Sequence, residues 1–159
     1  MMKAVVAGSF DPITNGHVDL VERARELFRN VVVGVGVNDT KTYLFDSPTR
    51  LRLVRETCSG QDGVTVEPFD GLLVDFCREH DVSVIVRGAR NGSDFDLEVA
   101  MAQMNRSLTG IETVILPVDP RNAFISSTLI RQIARAGGSV AEYVPGAVVN
   151  ELSKEIHHG

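Results

Sequence analysis

The run NVVVGVGV at residues 30–37 narrows the folds open to this chain more than any other stretch. It is a short, continuous apolar segment without a wet face, and it predicts a central parallel strand covered on both sides. Gly34 and Gly36 share a face with Val32, so a helix or ligand can come close there. Parallel neighbours need crossover connections, and those are usually helical. The rest of the chain supplies them. Segments at 4–7, 64–67, 82–86 and 113–116 read as four further strands. Between them lie segments with helical spacing. A first helix over 16–28 carries Val18, Leu20, Val21, Ala24, Leu27 and Phe28 on one face and Glu22, Arg23, Arg25 and Glu26 mostly on the other. A second runs from Ser47 at N-cap, with Pro48 at N1, to about Cys58. Pro68 to Gly71 reads as a turn before a third helix over 72–80, burying Leu72, Leu73, Phe76 and Cys77. A fourth covers 91–107, capped by Ser93 or Asp94, and its Met101 and Met104 suit core or subunit-interface packing. A fifth starts within 125–131. After Gly137-Gly138 come a short helical turn at 139–143, a last helix over about 145–156 and a frayed tail at 157–159. The alternation predicts one Rossmann-like α/β domain over 1–159, an open five-stranded parallel sheet with helices on both faces.

Composition limits the partners. A formal charge of −5 disfavours nucleic acid and anionic lipid, so a phosphate ligand would need a local cluster of cations. Cys58 and Cys77 fall in predicted helices without metal-ligand spacing, and reduced, buried thiols are expected. No apolar run reaches transmembrane length and no signal-peptide pattern opens the chain, so a cytoplasmic location is expected.

Open parallel sheets bind ligands beyond the carboxyl ends of their strands, where strand order reverses. Four segments map to that edge: 9–17, Lys41, 87–90 and 125–128. The first joins a strand through a glycine turn to a helix start, TNGH at 14–17, which is a natural anion site. The last sets Ser126, Ser127 and Thr128 at another helix start. Taken singly, each has an ordinary reading: a solvated lysine, a surface ion pair, a capping serine. Their convergence on one edge is the functional signal. There is no GxxxxGK[ST] loop, no Ser/His/Asp or Cys/His arrangement, and neither HExxH nor CxxC, so no protein-held metal is expected. What remains is polyphosphate chemistry run by positioned donors.

These residues also carry a resemblance. GSFDPITNGH at 8–17 and ISSTLIR at 125–131 resemble the two signatures of the nucleotidyltransferase superfamily. With Lys41, RGAR at 87–90, DFDLE at 94–98 and MAQMNR at 101–106, the chain from about Lys3 to Leu152 is similar to the bacterial phosphopantetheine adenylyltransferases. That family moves AMP from ATP to 4′-phosphopantetheine, giving dephospho-CoA and pyrophosphate. The resemblance implies that His17, Lys41 and Arg90 are catalytic, with His17 stabilising charge at the α-phosphate and bridging oxygen. It puts Ser9, Lys41, Leu73 and Arg87 on the acceptor. It puts Ser9, Phe10, His17, Gly88, Ala89, Arg90, Glu98, Asn122, Ala123, Phe124, Ile125, Ser126, Ser127 and Thr128 on ATP. Mg²⁺ is expected to arrive with ATP, coenzyme A to act as a feedback ligand, and the assembly to be a homohexamer. Three positions depart from the family pattern: Leu97 where tyrosine is common, Ala123 where an aromatic is frequent, and Thr128 for a third serine. The first two bear on adenine or coenzyme A contacts. The alternatives are a nicotinate mononucleotide adenylyltransferase or cytidylyltransferase, which RGAR and QMNR disfavour, and a nonenzymatic nucleotide sensor.

Overall fold

The structure is a computed structural model that describes residues 1–38 and 42–156. Strands and helices alternate as expected: β1 (Lys3–Gly8), α1 (Asn15–Phe28), β2 (Asn30–Gly36), α2 (Ser47–Cys58), β3 (Val64–Phe69), α3 (Leu73–Glu79), β4 (Val84–Ala89), α4 (Gly92–Thr109), β5 (Glu112–Pro117), α5 (Ser127–Arg135) and α6 (Gly146–Ile156). All five strands are parallel, in the spatial order β3-β2-β1-β4-β5. The chain winds outward from β1 in one direction and resumes at β4 on the other side. The switch point therefore lies between β1 and β4.

Register shows how that point opens. β1 stays paired with β2 from Lys3↔Asn30 to Gly8↔Val35, whereas β1 and β4 pair only at Ala4↔Val84 and Val5↔Ile85. Beyond Val5 the two central strands part. The core lies on both sides of the sheet, because successive strand residues point to opposite faces. Ala4, Val6, Val31, Val33, Val35, Val84 and Val86 pack with Val21, Ala24, Leu53, Val54, Ile130 and Val148 from α1, α2, α5 and α6. Val5, Val32 and Ile85 meet Phe76 and Cys77 of α3 on the opposite face. Both cysteines are free and buried.

Local chemistry moves several expected boundaries. The N-cap of α2 is Asp46 rather than Ser47, since its carboxylate accepts the Thr49 N–H at 2.9 Å; Ser47 is helical and its hydroxyl accepts from Arg50. Asn91, rather than Ser93 or Asp94, caps α4 by accepting the Asp94 N–H at 2.9 Å. β3 continues through Pro68, which the turn reading excluded; an edge strand tolerates a residue without an N–H. β4 likewise continues to Ala89, so Arg87 and Gly88 are strand residues. Leu72 is not buried: it stands at the N-cap position of α3, 61% exposed, and Val74 takes its place in the core. Leu27 of α1 also faces solvent. Residues 141–143 form a turn rather than helix, closed by the Tyr143 N–H on the Val140 carbonyl. The expected tail at 157–159 lies outside the described residues.

Candidate active site

β1 ends at Gly8, and the chain turns through 9–14 into α1. Thr14 caps that helix twice over. Its hydroxyl accepts the His17 N–H at 3.4 Å, while its own N–H donates to His17 Nδ1 at 3.0 Å. This reciprocal cap holds the imidazole over the first turn and uses Nδ1 as an acceptor. The neutral ring therefore carries its proton on Nε2. Phe10 supports the ring edge-on, with centroids 4.9 Å apart. Burial, and secondarily the Arg87 charge, lower the His17 pKa from 6.5 to about 4. At neutral pH His17 is an uncharged Nε2–H donor.

The parted strands β1 and β4 open into a cleft of about 420 Å³, with Val6, Ala7, Gly8, Val86, Arg87 and Gly88 along its floor. The first turn of α1 contributes Thr14, Gly16 and His17, and the start of α5 contributes Ser126, Ser127 and Thr128. Two helix N-termini thus face one space, each presenting N–H groups and the positive end of its dipole. Ser126 is the N-cap of α5, accepting the Leu129 N–H at 3.2 Å. Ser127 donates to the Pro12 carbonyl at 2.9 Å, and Arg131 donates to the Asp11 carbonyl at 2.7 Å. These bonds lock α5 against the turn that begins α1. Gly88 keeps the floor low, since a Cβ there would stand 3.2 Å from Val118 Cγ2.

Three arginines line this cleft, each with its own carboxylate. Arg87 forms a two-pronged pair with Glu98 at 2.9 and 2.8 Å and also reaches the Ala7 carbonyl at 3.2 Å. Arg90 holds Asp94 at 3.0 Å, and its hydrogen bonds lower the Asp94 pKa. Arg23 joins Asp19 and the Pro117 carbonyl. The cleft is thus locally balanced in charge while keeping three guanidinium groups within it.

A second cleft, of about 350 Å³, lies on the other side of the β1 terminus. Ser9, Gly36, Tyr43, Phe69, Gly71 and Leu73 line it, and it shares Ala7, Gly8 and Arg87 with the first. Among the described residues no cluster of three potential metal ligands occurs.

Most of the residues expected at the site do meet here. His17, Gly88, Arg90, Glu98, Asn122, Ile125, Ser126, Ser127 and Thr128 line the larger cleft, Leu73 the smaller, and Arg87 both. Ser9 lines only the smaller cleft, although it was expected on both substrates. Phe10, Ala89, Ala123 and Phe124 line neither. Phe10 is buried beneath His17, the Ala89 carbonyl accepts from the Val118 N–H, and Phe124 turns its exposed ring edge-on to Tyr143. Lys41 lies outside the described residues.

Sequence reasoning missed Arg50 and Asp11. Both are buried, at 0% and 2% exposed. The Asp11 carboxylate accepts the N–H groups of Leu44 and Phe45 at 2.7 and 2.9 Å. Arg50 donates to the carbonyls of Ser9 and Gly36 at 2.6 and 2.7 Å. A signal was available: Arg50 stands three and four residues before Leu53 and Val54, on the apolar stripe of α2.

Comparison with known proteins agrees with this geometry. Residues 5–133 match the cytidylyltransferase-like family. The chain is 46% identical to the phosphopantetheine adenylyltransferase of Nocardioides sp. over 100% of both sequences. It is 49% identical to that of Cutibacterium acnes, covering 99% of this chain and 100% of the relative. Among solved structures, the lipopolysaccharide core biosynthesis protein from Thermoplasma volcanium superposes with a TM-score of 0.54 at 22% identity, covering 75% of this chain and 97% of that one; it supports the fold alone. The chain belongs to the cytidylyltransferase-like family, among its phosphopantetheine adenylyltransferases.

Proposed function

We propose that this protein transfers the AMP part of ATP to 4′-phosphopantetheine, releasing pyrophosphate and dephospho-CoA. The observation that carries the reading is the pair of clefts sharing the β1 terminus and Arg87: one faces two helix N-termini, and the other has Ser9 and the apolar Leu73 in its wall. Two phosphorylated substrates held there meet across a common wall. The acceptor phosphate oxygen attacks the α-phosphorus of ATP, and the bond from that phosphorus to the α–β bridging oxygen breaks. The electron pair leaves with pyrophosphate. No general base is required, because the nucleophile is already an oxyanion.

In this reading His17 donates Nε2–H to the charge growing at the α-phosphate and bridging oxygen, a neutral donor held by Thr14. The hydroxyls of Ser126 and Thr128, and the N–H groups of α5 including that of Ser127, take the β- and γ-phosphates. Arg90 and Arg87, held by Asp94 and Glu98, offer their remaining N–H groups to the phosphates. Leu73 gives the pantetheine arm an apolar contact, and Ser9 holds the acceptor phosphate. The role of Lys41 rests on the resemblance alone. Mg²⁺ comes with the triphosphate, since the cleft carboxylates Asp94 and Glu98 are engaged by arginines. Coenzyme A, which contains the acceptor's arm, would compete for the smaller cleft as a feedback ligand.

The working form is proposed as a cytoplasmic homohexamer. Free buried thiols suit a reducing compartment, and α4 carries an unburied apolar stripe of Leu97, Met101, Met104 and Leu108 that suits subunit packing. The test is pyrophosphate release from Mg-ATP with separate acceptors. Release with 4′-phosphopantetheine alone is expected. Release with nicotinate mononucleotide or a cytidylyl acceptor, and not with phosphopantetheine, would overturn the assignment.

A further inference from the structure

We infer that Arg50, a residue in neither cleft, is the positioning residue that shapes the acceptor cleft and leaves the ATP cleft alone. Its guanidinium is completely buried and collects four hydrogen bonds: the carbonyls of Ser9 at 2.6 Å, Gly36 at 2.7 Å and Phe45 at 3.2 Å, and the Ser47 hydroxyl at 3.0 Å. Its flat face lies 3.9 Å from the centroid of the Tyr43 ring. No carboxylate within 4 Å pairs with it among the described residues. A buried cation satisfied by backbone carbonyls is a costly structure that one hydrophobic residue could replace if only packing were needed.

The partners of Arg50 explain why it is kept. Ser9, Gly36 and Tyr43 all line the smaller cleft, and none of them lines the larger one. Ser9 follows β1, Gly36 ends β2 and Tyr43 precedes α2, so a single planar group ties three segments together. By accepting four of the five N–H donors of a fixed fork, the three carbonyls and the hydroxyl fix the guanidinium plane, and the plane in turn fixes the Tyr43 ring. The Ser9 carbonyl is drawn down towards α2. Asp11 completes the fastening by holding the next two peptide N–H groups after Tyr43, those of Leu44 and Phe45. Lysine has the charge but neither the fork nor the flat face, so it can reproduce only part of this.

This inference rests on the proposed phosphopantetheine acceptor, and the experiment separates the two. Dissociation constants for 4′-phosphopantetheine and for ATP are measured independently by calorimetry on wild type, Arg50→Lys and Tyr43→Leu, after circular dichroism has shown each to be folded. Arg50→Lys is expected to weaken acceptor binding about tenfold or more, because a small displacement of binding groups has a large effect, while ATP affinity stays within about twofold. Tyr43→Leu, which keeps the guanidinium, should shift the acceptor constant in the same direction by a smaller factor. A general loosening of the fold would weaken both ligands together. Parallel loss of ATP and acceptor affinity, or an acceptor constant within about twofold of wild type in folded Arg50→Lys, overturns the inference. If Arg50→Lys does not fold, the same two criteria are applied to Tyr43→Leu. If wild type does not bind phosphopantetheine, it is the function that fails. The comparison is then made with whichever phosphorylated acceptor supports pyrophosphate release.

Discussion

At His17 a helix cap and the proposed transition-state donor are the same object. Nδ1 is occupied by the Thr14 N–H, so the ring can offer only Nε2–H to a ligand, and its pKa near 4 keeps it neutral across the working range. Removing such a preorganised donor costs roughly 10²- to 10³-fold in turnover. His17→Ala should fall by that factor with its fold retained, and normal turnover in the folded variant would dismiss the role. The depressed pKa also has a sign for stability. Between about 4 and 6.5 the unfolded chain binds a proton that the folded chain refuses, so this residue makes stability rise with pH through that window. Its contribution is complete above 6.5 and lost as the pH falls towards 4. His17→Gln has nothing to titrate. Urea midpoints at pH 5 and pH 7 should therefore lie closer together in His17→Gln than in wild type, and an unchanged difference would show that the ring does not titrate as described.

Among the elements, the connection from α2 to β3 offers a direct test of backbone geometry. Gly60 and Gly63 both have φ of +80°, a conformation that glycine adopts freely. A Cβ on Gly60 would meet open space, whereas one on Gly63 would stand 2.1 Å from the Arg29 carbonyl oxygen. Gly60→Ala should lose about 1 kcal/mol, and Gly63→Ala clearly more, about 2 to 4 kcal/mol, in urea unfolding. Turnover at 25 °C should be unchanged in both, because this loop lies at the amino edge of the sheet, away from the clefts. Equal losses would mean that the Arg29 carbonyl moves aside. The same elements show what could be read from the chain. Continuous valine runs made β2 and β4 legible, because a strand covered on both faces has no room for polar residues. TNGH and ISST were legible because capping chemistry is local. For helix α4 the sequence left core and subunit-interface packing both open for Met101 and Met104, and none of its 18 residues is buried. Spacing identifies an apolar face without saying which surface covers it. The partners of Arg50 and Asp11 went unread because most of them are backbone groups, several from distant segments, and backbone groups carry no residue code.

For the whole molecule, α4 is the element that serves two scales at once. From its N-terminal half Asp94, Leu97 and Glu98 line the larger cleft, and Glu98 grips Arg87. Elsewhere the helix exposes Phe95, Met101, Met104 and Leu108, between 49% and 60% of each. A lone chain leaves that apolar surface in water, where an area of several such side chains is unfavourable by several kcal/mol at about 25 cal/mol per Å². Association would remove it and would at the same time stiffen the helix that orients Arg87. Sedimentation at micromolar concentration should therefore give a mass near six chains for wild type. The double variant Met101→Glu/Met104→Glu places two charges on the exposed stripe and should shift the mass towards smaller species while its circular dichroism stays native. Its turnover per chain should fall, and should recover in part as protein concentration is raised, because mass action refills the assembly. A wild type that sediments as a single chain would remove the hexamer. A dissociated variant with full turnover would keep the assembly and show that Glu98 needs no help from a neighbouring subunit to hold Arg87.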